Sequence, residues 1–482
     1  MIIPKEVKNI IGKLEKAGFE AYIVGGCVRD FLLGAEPKDW DVTTNAKPEE
    51  IQEIFPDSFY ENNFLTVTAK TGSKNEKLAE IEITTYRFEA EYSDKRHPDE
   101  VQYAQNIEDD LSRRDFTVNA VAMDGKKKIV DLFEGQEDLK NKIIRTVGNP
   151  NERFNEDALR MLRAVRFATT LDFTIEEKTA EAIKKNSIWL EAVSKERIRD
   201  EFIKIIMADK AAEGVELLRE LELLKYIIPE LLENYGVAQN KHHIYDCYMH
   251  AIKALEFTAK KKLNMYVRIA SLLHDIGKPR SKVGEGEGAT FYNHEMIGAR
   301  MCFQILNNLK FSKKEIEKIT KLVRYHLFYY NVDEVGEASV RRLVKNVGPE
   351  NMEELLQVRQ ADRIGSGVPK AEPYKLRHLK YLVEKVSKDP ISVKMLKING
   401  NNLMSVLGVR PGPKIGQILD ILLSYVLDDP KKNTKEFLEK ESKKLAELSE
   451  KELQTLAEKS KEEKFEVQNK EDESAKQKYW VR

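Results

Sequence analysis

The sequence predicts an α+β protein in which a small mixed β-sheet head precedes a long, all-helical body. Short segments of alternating apolar or β-branched residues, such as LTVTAK and EIEITTYRF, fall within residues 1–150. After about residue 152 such segments nearly vanish, and apolar residues recur with the spacing of amphipathic helices. Proline and glycine residues separate one predicted helix from the next.

The head begins with a helix and continues through a series of short strands. Val7, Ile10, Ile11 and Leu14 have helical spacing, and Gly18 marks the end of this first helix. AYIVGG then predicts a strand that runs into a turn. The remaining strands are predicted, in chain order, at DWDVTTN, LTVTAK, EIEITTYRF and KIVDLF.

Composition and turn residues separate a head, a helical body and a Lys/Glu-rich end, and the family resemblances given below divide the body further, so that five segments result. The head is followed by a helical region, a histidine-rich helical region and a further helical region. The Lys/Glu-rich end has few aromatic residues, which predicts an exposed helix and then a frayed tail. The predicted boundaries are 1–150, 151–240, 241–370, 371–440 and 441–482.

The composition is that of an ordinary globular protein, with 41% apolar and 33% charged residues and a formal net charge of −1. This balance does not exclude a nucleic-acid partner, because a basic patch such as the arginines of residues 145–166 is hidden in the total. Cys27, Cys247 and Cys302 are too few and too scattered for a disulfide framework, which favours the cytoplasm. We expect no signal peptide and no membrane span, since no long uncharged apolar run occurs.

The stretch VGGCVRDFLLGAEPKDWDVTT combines two glycines, an arginine and a pair of aspartates. Asp39 and Asp41 are two residues apart, so on a strand both carboxylates project from one face, which suits a Mg²⁺ site. Gly25 and Gly26 let the backbone approach a phosphate, and Arg29 can clamp that phosphate. The stretch predicts a site for a metal-bound triphosphate; the alternative is a strand–turn–helix with a surface acidic pair.

A neighbouring predicted strand, EIEITTYR, offers a third carboxylate. Glu80 and Glu82 lie on one of its faces, opposite Ile81 and Ile83. Glu82 is the candidate for a catalytic site with two metal ions, in which one ion activates the attacking hydroxyl and the other holds the leaving phosphates. A solvated strand face is the alternative, and it is favoured for Glu80.

The segment DLSRRDFTVNAVAM concentrates arginines, aspartates and an asparagine in one turn-rich stretch. Arginines suit phosphate or base contacts, and asparagine suits a sugar hydroxyl. A charged helix cap explains the same residues without a ligand. The nucleotide-binding candidates in this segment are Arg114, Asp115 and Asn119.

The segment NEDALRMLRAVRFA predicts a helix with one buried and one charged face. Its apolar stripe consists of Ala158, Met161, Leu162, Val165 and Ala168. Its charged residues recur at every third position, namely Asp157, Arg160, Arg163 and Arg166. Asp157 and Arg160 match the amine donor and ring-nitrogen acceptor shared by cytosine and adenine, and they mismatch uracil and guanine. A solvated face with weak ion pairs is the alternative.

The body contains most of the histidines, together with two motifs that add carboxylates. SLLHDIGKP contains the pair His274-Asp275, and QADRIG contains Asp362. Imidazoles and carboxylates together suit a transition metal or a mixed two-metal site, which activates water for phosphoester hydrolysis. The histidines of this region are His242, His243, His250, His274, His294 and His326.

Several of these segments, in the same order, resemble the successive motifs of class II tRNA nucleotidyltransferases, the CCA-adding enzymes, whose head is shared with bacterial poly(A) polymerases. The resemblance is carried by GGCVRDFLLG, DWDVTT, EITTYR, RRDFTVNAVA, DLFEGQEDLKNKIIRTVGNP and EDALRMLRAVRF, and it resumes at INGNNLMSVLGVRPGPKIGQ. It implies a nucleotidyltransferase head at 1–150, a neck at 151–240 and a tRNA-binding tail at 371–440.

The resemblance also implies roles for individual residues. Gly26 and Arg29 match triphosphate-binding positions, and Asp39 and Asp41 match metal ligands. The segment SKERIRDEF matches the neck helix of the family. The residues that match nucleotide-binding positions are Arg114, Asp157, Arg160, Arg163 and Arg166.

The histidine-rich region resembles the HD phosphohydrolase superfamily, whose pattern is an early His, a His-Asp pair and a late Asp. The matching residues are His250, His274, Asp275 and Asp362, with His294 and His326 at the extra positions of two-metal members. We expect this HD domain, residues 241–370, to hold a divalent metal of the Ni, Mn, Co or Fe type. A degenerate scaffold within the tRNA-binding body is the alternative.

Together the resemblances imply Mg²⁺-dependent, template-independent addition of CCA to tRNA from CTP and ATP, with release of pyrophosphate. Three alternatives stay open: an enzyme that adds only the terminal A, a poly(A) polymerase, and an HD phosphohydrolase whose head holds RNA. EYSDKRHPDEV resembles the family's flexible loop, which CC-only members tend to lack. KNEKLAEIEITTYR lacks the basic run that is typical of the poly(A) polymerase branch. The sequence does not fix the oligomeric state.

Overall fold

The computed structural model describes residues 2–61, 66–90, 100–239, 244–332, 334–387 and 393–481. The chain forms two compact units. One unit comprises residues 1–327 with 357–369, and the other comprises residues 328–356 with 370–482. The predicted α+β class is confirmed, because a mixed sheet near the N terminus is followed by helices.

In the described part of the chain, seven strands form the mixed sheet of the head and four more form two small sheets. The strands are β1 (Ala21–Val24), β2 (Asp41–Thr44), β3 (Ser58–Glu61), β4 (Thr66–Lys70), β5 (Glu80–Thr85), β6 (Arg87–Ala90), β7 (Glu100–Tyr103), β8 (Val121–Met123), β9 (Ile129–Asp131), β10 (Ile143–Ile144) and β11 (Thr174–Ile175). The order across the large sheet is β3-β4-β5-β2-β1-β8-β9. Strands β2 and β5 pair in parallel, and the other neighbours in this sheet are antiparallel.

The other regular elements of the described residues are helices. The helices of the first unit are α1 (Lys5–Lys16), α2 (Gly26–Leu32), α3 (Pro48–Ile54), α4 (Glu76–Ala79), α5 (Ile107–Ser112), α6 (Gly135–Asn141), α7 (Pro150–Glu156), α8 (Leu159–Leu171), α9 (Glu177–Asn186), α10 (Lys195–Met207), α11 (Ala211–Glu220), α12 (Pro229–Leu232), α13 (Cys247–Lys260), α14 (Met265–Leu273), α15 (Lys278–Ser281), α16 (His294–Asn308) and α17 (Lys313–Tyr325). The second unit contains α18 (Glu337–Val347), α20 (Tyr374–Ser387), α21 (Gly400–Leu407), α22 (Pro413–Asp428), α23 (Lys435–Ala446) and α24 (Glu450–Tyr479), and α19 (Met352–Gly365) contributes to both units. Among the described residues, no helix has both the length and the apolar character needed to cross a bilayer.

The hydrophobic core of the head fixes the strands that carry the candidate site. The apolar face predicted for α1 is buried, and it consists of Val7, Ile10, Ile11 and Leu14. These residues share one core with Ile23, Val42 and Ile83, which lie on three neighbouring strands. Burial of each such side chain contributes about 1.5–3 kcal/mol, so the register of β2 against β5 is strongly held.

The helix predicted at NEDALRMLRAVRFA is interrupted in the structure. Helix α7 ends at Glu156, Asp157 has extended backbone angles (φ −145°, ψ 105°), and α8 begins at Leu159. The Leu159 N–H donates a 3.0 Å hydrogen bond to the Asp157 carboxylate, a local bond that competes with helix formation. The predicted apolar stripe from Ala158 to Ala168 is buried as expected.

The charged C-terminal segment forms the predicted helix, which extends farther along the chain than expected. A frayed tail is predicted there, but α24 continues to Tyr479. Ser449 and Glu452 form a capping box at its start, and Leu453 and Ala457 are buried in the core of the second unit. Strong helix formers such as Lys, Glu and Ala then extend the helix.

Candidate functional site

Two carboxylates of the head are placed side by side by strand pairing. Asp41 opposes Glu82 in the parallel register of β2 and β5. Asp39 lies two residues before β2 begins, in an exposed turn rather than on the strand as predicted. Burial raises the pKa of Asp41 to about 6, and the neighbouring charges of Asp39 and Glu82 add to this effect while Arg114 opposes it. The three carboxylates therefore crowd negative charge at a point where a cation would relieve it.

Gly25 lets the backbone approach this acidic group. Its φ of 79° lies in the left-handed region, and a Cβ built on it would be 2.9 Å from Arg114 Nη1 and 3.9 Å from Asp41 Oδ2. Arg114 is held in turn by Asp110, whose Oδ2 accepts a 3.1 Å hydrogen bond. Burial alone would raise the pKa of Asp110, but Arg113 and Arg114 hold it below its usual value. The guanidinium of Arg114 is thereby fixed beside Gly25.

A continuous chain of hydrogen bonds links Arg29 to Arg163. Arg29 Nη1 donates to Asn119 Oδ1 (2.8 Å), and Asn119 Nδ2 donates to Asp115 Oδ1 (3.1 Å). Arg163 Nε donates to the other oxygen of Asp115 (2.8 Å). Burial alone would raise the pKa of Asp115, but Arg163 and Asn119 hold it at about 2. Asp115, predicted to contact a nucleotide, therefore joins the predicted phosphate-binding and base-binding residues to each other.

The predicted base-reading residues each have a partner on another element. Arg197 of α10 donates from both terminal nitrogens to the two Asp157 oxygens, at 3.2 and 2.7 Å. Arg160 is paired with Glu156 and donates to the carbonyl of Arg113 (3.3 Å). Asp157 and Arg160 both lie at the N-terminal end of α8. In the described contacts their side chains bind other partners and not each other. Arg197 fixes the direction of the Asp157 carboxylate.

Phe167 is a residue that sequence reasoning missed. Its buried ring lies 3.8 Å from the Arg166 guanidinium, 5.2 Å from that of Arg29 and 5.5 Å from that of Arg163, measured to the ring centroid. Arg166 Nε is also 2.7 Å from the buried carboxylate of Glu201 on α10. An aromatic residue inside an arginine-rich helix is the only signal in the sequence, and it does not reveal which cations reach the ring.

The body holds a second, separate group of ligand atoms. The Nε2 atoms of His250 and His274 are 2.9 Å apart, and Asp275 Oδ2 lies 3.1 Å from the first and 3.3 Å from the second. Asp362 Oδ1 is 3.4 Å from His250 Nε2, so four ligand atoms converge within 4.8 Å of one another. Burial alone would lower the pKa of His274, but Asp275 and Asp362 raise it to about 10. The group thus favours a positive charge at its centre, as a divalent metal would supply.

Asp275 links this group to the other two predicted histidines. Its Oδ1 lies 3.3 Å from His294 Nε2 and 3.5 Å from His326 Nε2. In His274, His294 and His326 alike, Nδ1 is bonded to the backbone carbonyl three residues earlier, at 2.7 or 2.8 Å. An Nδ1–H donated to a carbonyl leaves the Nε2 lone pair for a metal. The donor set fits two adjacent transition-metal ions that share one carboxylate.

A cavity of about 730 Å³ opens beside the histidines. Phe291 and Tyr292 line it together with Arg359 and Lys278. Lys278 Nζ lies 2.6 Å from Asp275 Oδ2, and Arg359 Nη1 donates to Asp362 Oδ2 at 2.6 Å. The body site therefore combines metal-type ligands with two cationic side chains, each paired with a carboxylate of the same cavity.

Two predicted features lie outside the described residues. Most of the loop EYSDKRHPDEV falls in residues 91–99, and His242 and His243 are likewise not described. The described site residues form one group on the head and the helices α8 and α10, and a second group around the body histidines.

Three family models match the chain. They are described as "Poly A polymerase head domain" at residues 21–145, "Probable RNA and SrmB- binding site of polymerase A" at residues 172–234, and "tRNA nucleotidyltransferase domain 2 putative" at residues 296–441. None of these three models describes an HD domain.

Curated proteins and solved structures show the same likeness. The chain is 37% identical over 457 residues to a CCA-adding enzyme of Ligilactobacillus salivarius, covering 92% of this chain and 97% of that protein. It is 32% identical over 444 residues to a CCA-adding enzyme of Enterococcus faecalis, covering 90% and 94%. The crystal structure of the Bacillus stearothermophilus CCA-adding enzyme in complex with CTP matches with a TM-score of 0.58 and 28% identity, covering 91% of this chain and 96% of that chain.

Proposed function

Because this chain belongs to the family of CCA-adding enzymes, we propose that it adds C, C and A to the 3′ end of tRNA, using CTP and ATP and releasing pyrophosphate. The observation that carries this proposal is the contact series from Arg29 through Asn119 and Asp115 to Arg163. This series connects a predicted phosphate-binding residue to a predicted base-binding residue. Such a connection is needed if protein side chains are to select a whole nucleotide. We place the reaction in the cytoplasm, where tRNA is matured.

The acidic group of the head fits a divalent cation, for which we propose Mg²⁺. Asp39, Asp41 and Glu82 would hold it, because hard oxygen ligands suit this ion and the charges of Asp39 and Glu82 add to the effect of burial on the pKa of Asp41. When bound, the metal neutralises charge on the phosphates and lowers the pKa of a coordinated hydroxyl. Arg29 and Arg114 would bind the triphosphate, with the backbone at Gly25 and Gly26 close to it.

We assign base recognition to the end of α8. Asp157, held by Arg197, presents carboxylate lone pairs that match the exocyclic amine of cytosine and adenine. Arg160 would donate to the ring nitrogen after leaving Glu156, and Arg163 and Arg166 complete the basic lining. A carboxylate and a guanidinium disfavour uracil and guanine, whose donor and acceptor are reversed.

Gly25→Ala tests the close approach of the backbone. The new Cβ would meet Arg114 Nη1 at 2.9 Å and would force a side chain into φ 79°. We expect KM for CTP and ATP to rise about tenfold or more, since one charge-assisted contact is worth about 1.5–3 kcal/mol. Gly72→Ala is the matched control, because Gly72 has φ 73° and nothing within 4 Å of its Cβ position. Equal KM changes in both variants would remove the steric explanation.

Transcripts with different 3′ ends test the proposed reaction. We would offer CTP alone, or ATP alone, to tRNA that lacks CCA and to tRNA that ends in CC. The proposal predicts two C additions to the first substrate and one A addition to the second. An enzyme that adds only the terminal A would leave the first substrate unchanged with CTP. A poly(A) polymerase would add many adenylates to either one.

A second candidate function is metal-dependent phosphoester hydrolysis by the body site. The observation that favours it is the convergence of His250, His274, Asp275 and Asp362, with His294 and His326 on the far oxygen of Asp275. A bound transition metal supplies activated water there. The residues around the cavity would orient an anionic substrate, through Arg359 and Lys278. We identify these residues with an HD domain.

Gly365→Ala tests metal binding by this domain. A Cβ at Gly365 would lie 2.7 Å from the His250 carbonyl and 3.1 Å from His250 Nδ1, so the ring must shift. We expect Co²⁺ affinity to fall about 10–100-fold, as when the supports of metal ligands are disturbed. This affinity is measured by titrating the full chain with Co²⁺ in the absence of nucleotide and following the Co²⁺ absorption. Gly12→Ala is the control, with nothing within 4 Å. Unchanged affinity in Gly365→Ala would argue against a metal at His250.

A further inference from the structure

Three arginines converge on one buried aromatic ring of α8. The ring of Phe167 is 4% exposed. The guanidinium carbon of Arg166 lies 3.8 Å from its centroid, and those of Arg29 and Arg163 lie at 5.2 and 5.5 Å. These distances are within the range in which a cation is attracted by the ring quadrupole.

Each of these arginines also has its own carboxylate. Arg29 Nη2 is 2.7 Å from Asp30, Arg163 is bound to Asp115, and Arg166 Nε is 2.7 Å from Glu201. The three carboxylates come from α2, the segment before residue 117 and α10, which are different parts of the chain. Carboxylates on separate elements offset the repulsion among the three cations. Asp115, through Asn119, also links Arg29 to Arg163, but the described hydrogen bonds do not link the Arg166 guanidinium to either of them. The shared ring is the one described contact common to all three.

We propose that Phe167 is a positioning residue that sets the distance between the triphosphate end and the base end of the bound nucleotide. Arg29 belongs to the proposed triphosphate site, and Arg163 and Arg166 belong to the proposed base site. Because all three guanidiniums contact one rigid ring, the position of the triphosphate and the position of the base are fixed relative to each other. A triphosphate whose base sits wrongly is then misaligned at Arg29 as well. This inference rests on the proposed function for the identity of the nucleotides.

Fluorinated phenylalanine at position 167 tests this directly, since mono-, di- and trifluorinated rings keep nearly the same shape while the attraction for cations falls. In the full-length protein we expect KM for CTP to rise stepwise, by about tenfold at the trifluorinated ring, with kcat changed by less than about twofold. Affinity for CTP, measured by calorimetry without tRNA, should fall in the same steps. If neither the KM nor the affinity for CTP changed with the degree of fluorination, the proposal would be overturned.

Phe116 provides a matched control for packing. Its ring is fully buried and meets the Phe167 ring edge to face, with centroids 5.7 Å apart. The described contacts place no guanidinium over its face. Both Phe167→Leu and Phe116→Leu should lower the melting temperature, but only Phe167→Leu should raise KM for CTP and ATP, by about tenfold or more. An equal rise in Phe116→Leu would assign the effect to packing.

The calorimetric measurement also separates this inference from the proposed function. If CTP binding follows the fluorinated series but the protein extends no tRNA, the proposed reaction is wrong and the positioning role of Phe167 stands. If tRNA is extended normally but the affinity for CTP does not change with fluorination of Phe167, the positioning role is wrong and the proposed reaction stands.

Discussion

Replacing Asp41 with asparagine is expected to reduce CCA addition about a thousandfold or more while making the metal-free protein more stable at neutral pH. The loss follows because a metal ligand at the reacting phosphate supplies several kcal/mol, and each 1.36 kcal/mol is about tenfold in rate. The gain follows because burial, together with the neighbouring charges of Asp39 and Glu82, raises the pKa of the Asp41 carboxyl to about 6. An amide of the same shape removes that charge.

The pH dependence of the stability gain has a definite sign. In the unfolded chain Asp41 titrates near its ordinary value of 3.8, whereas in the folded protein its pKa is about 6. Between these values the folded state binds more protons, so the stability of the wild-type protein falls as the pH rises from about 4 to about 6. Melting in EDTA should therefore show little difference between wild type and Asp41→Asn at pH 4, and a gain of about 1–3 kcal/mol for the variant at pH 7.

Asp57→Asn is the control for this substitution, since Asp57 is an exposed carboxylate whose only described cation, on Lys70, is 4.0 Å away. It should alter neither the rate of CCA addition nor the stability. If Asp41→Asn were as active as wild type, the metal site proposed at β2 would be wrong. If it lost activity together with stability at pH 7, the carboxylate would be a structural group rather than an uncompensated ligand.

Asp157→Asn is expected to relax nucleotide choice. Its amide keeps one acceptor oxygen but replaces the other with a donor, and it loses the charge that pairs with Arg197. We expect kcat/KM for CTP and ATP to fall about 100-fold, and discrimination against UTP to fall about 10–100-fold, since one bidentate base contact is worth about 1–3 kcal/mol. Single-nucleotide incorporation kinetics with each of the four triphosphates measures both quantities.

Asp200→Asn controls for loss of a charge on α10, because Asp200 is half-exposed and is paired with the adjacent Arg199. It should leave discrimination unchanged. An equal decline for all four triphosphates in Asp157→Asn would contradict base recognition and would leave Asp157 only as an anchor for Arg197.

Much of the head was predictable because its signals are local. Alternating residues identified the strands, and helical spacing identified α1, whose predicted face is buried. The break at Asp157 was not predictable from periodicity, because the apolar stripe continues across it. It depends on whether the Asp157 carboxylate bonds to the Leu159 N–H or faces solvent, and the contact with Arg197 decides this.

The candidate site residues also fall into those that local sequence signals indicate and those that only the folded chain reveals. Asp41, Glu82 and the body histidines are candidates that the sequence indicates by itself, because residue type and spacing restrict their chemistry. Glu201 and Phe167 give no such signal, because the contacts of Glu201 with Arg166 and of Phe167 with Arg29 exist only in the folded chain. Asp39 shows the reverse case: its spacing from Asp41 suggested one strand face, yet the strand begins only at Asp41.

The most direct test offers the protein both CTP and ATP in competition, with a tRNA lacking CCA and an unstructured RNA in the same tube. The 3′ ends of both RNAs would be read at single-nucleotide resolution over time. We predict ordered growth of the tRNA by C, C and A, followed by a stop, and little change in the unstructured RNA. Long adenylate tails on the unstructured RNA, or no growth of the tRNA beyond its starting length, would contradict CCA addition by this chain.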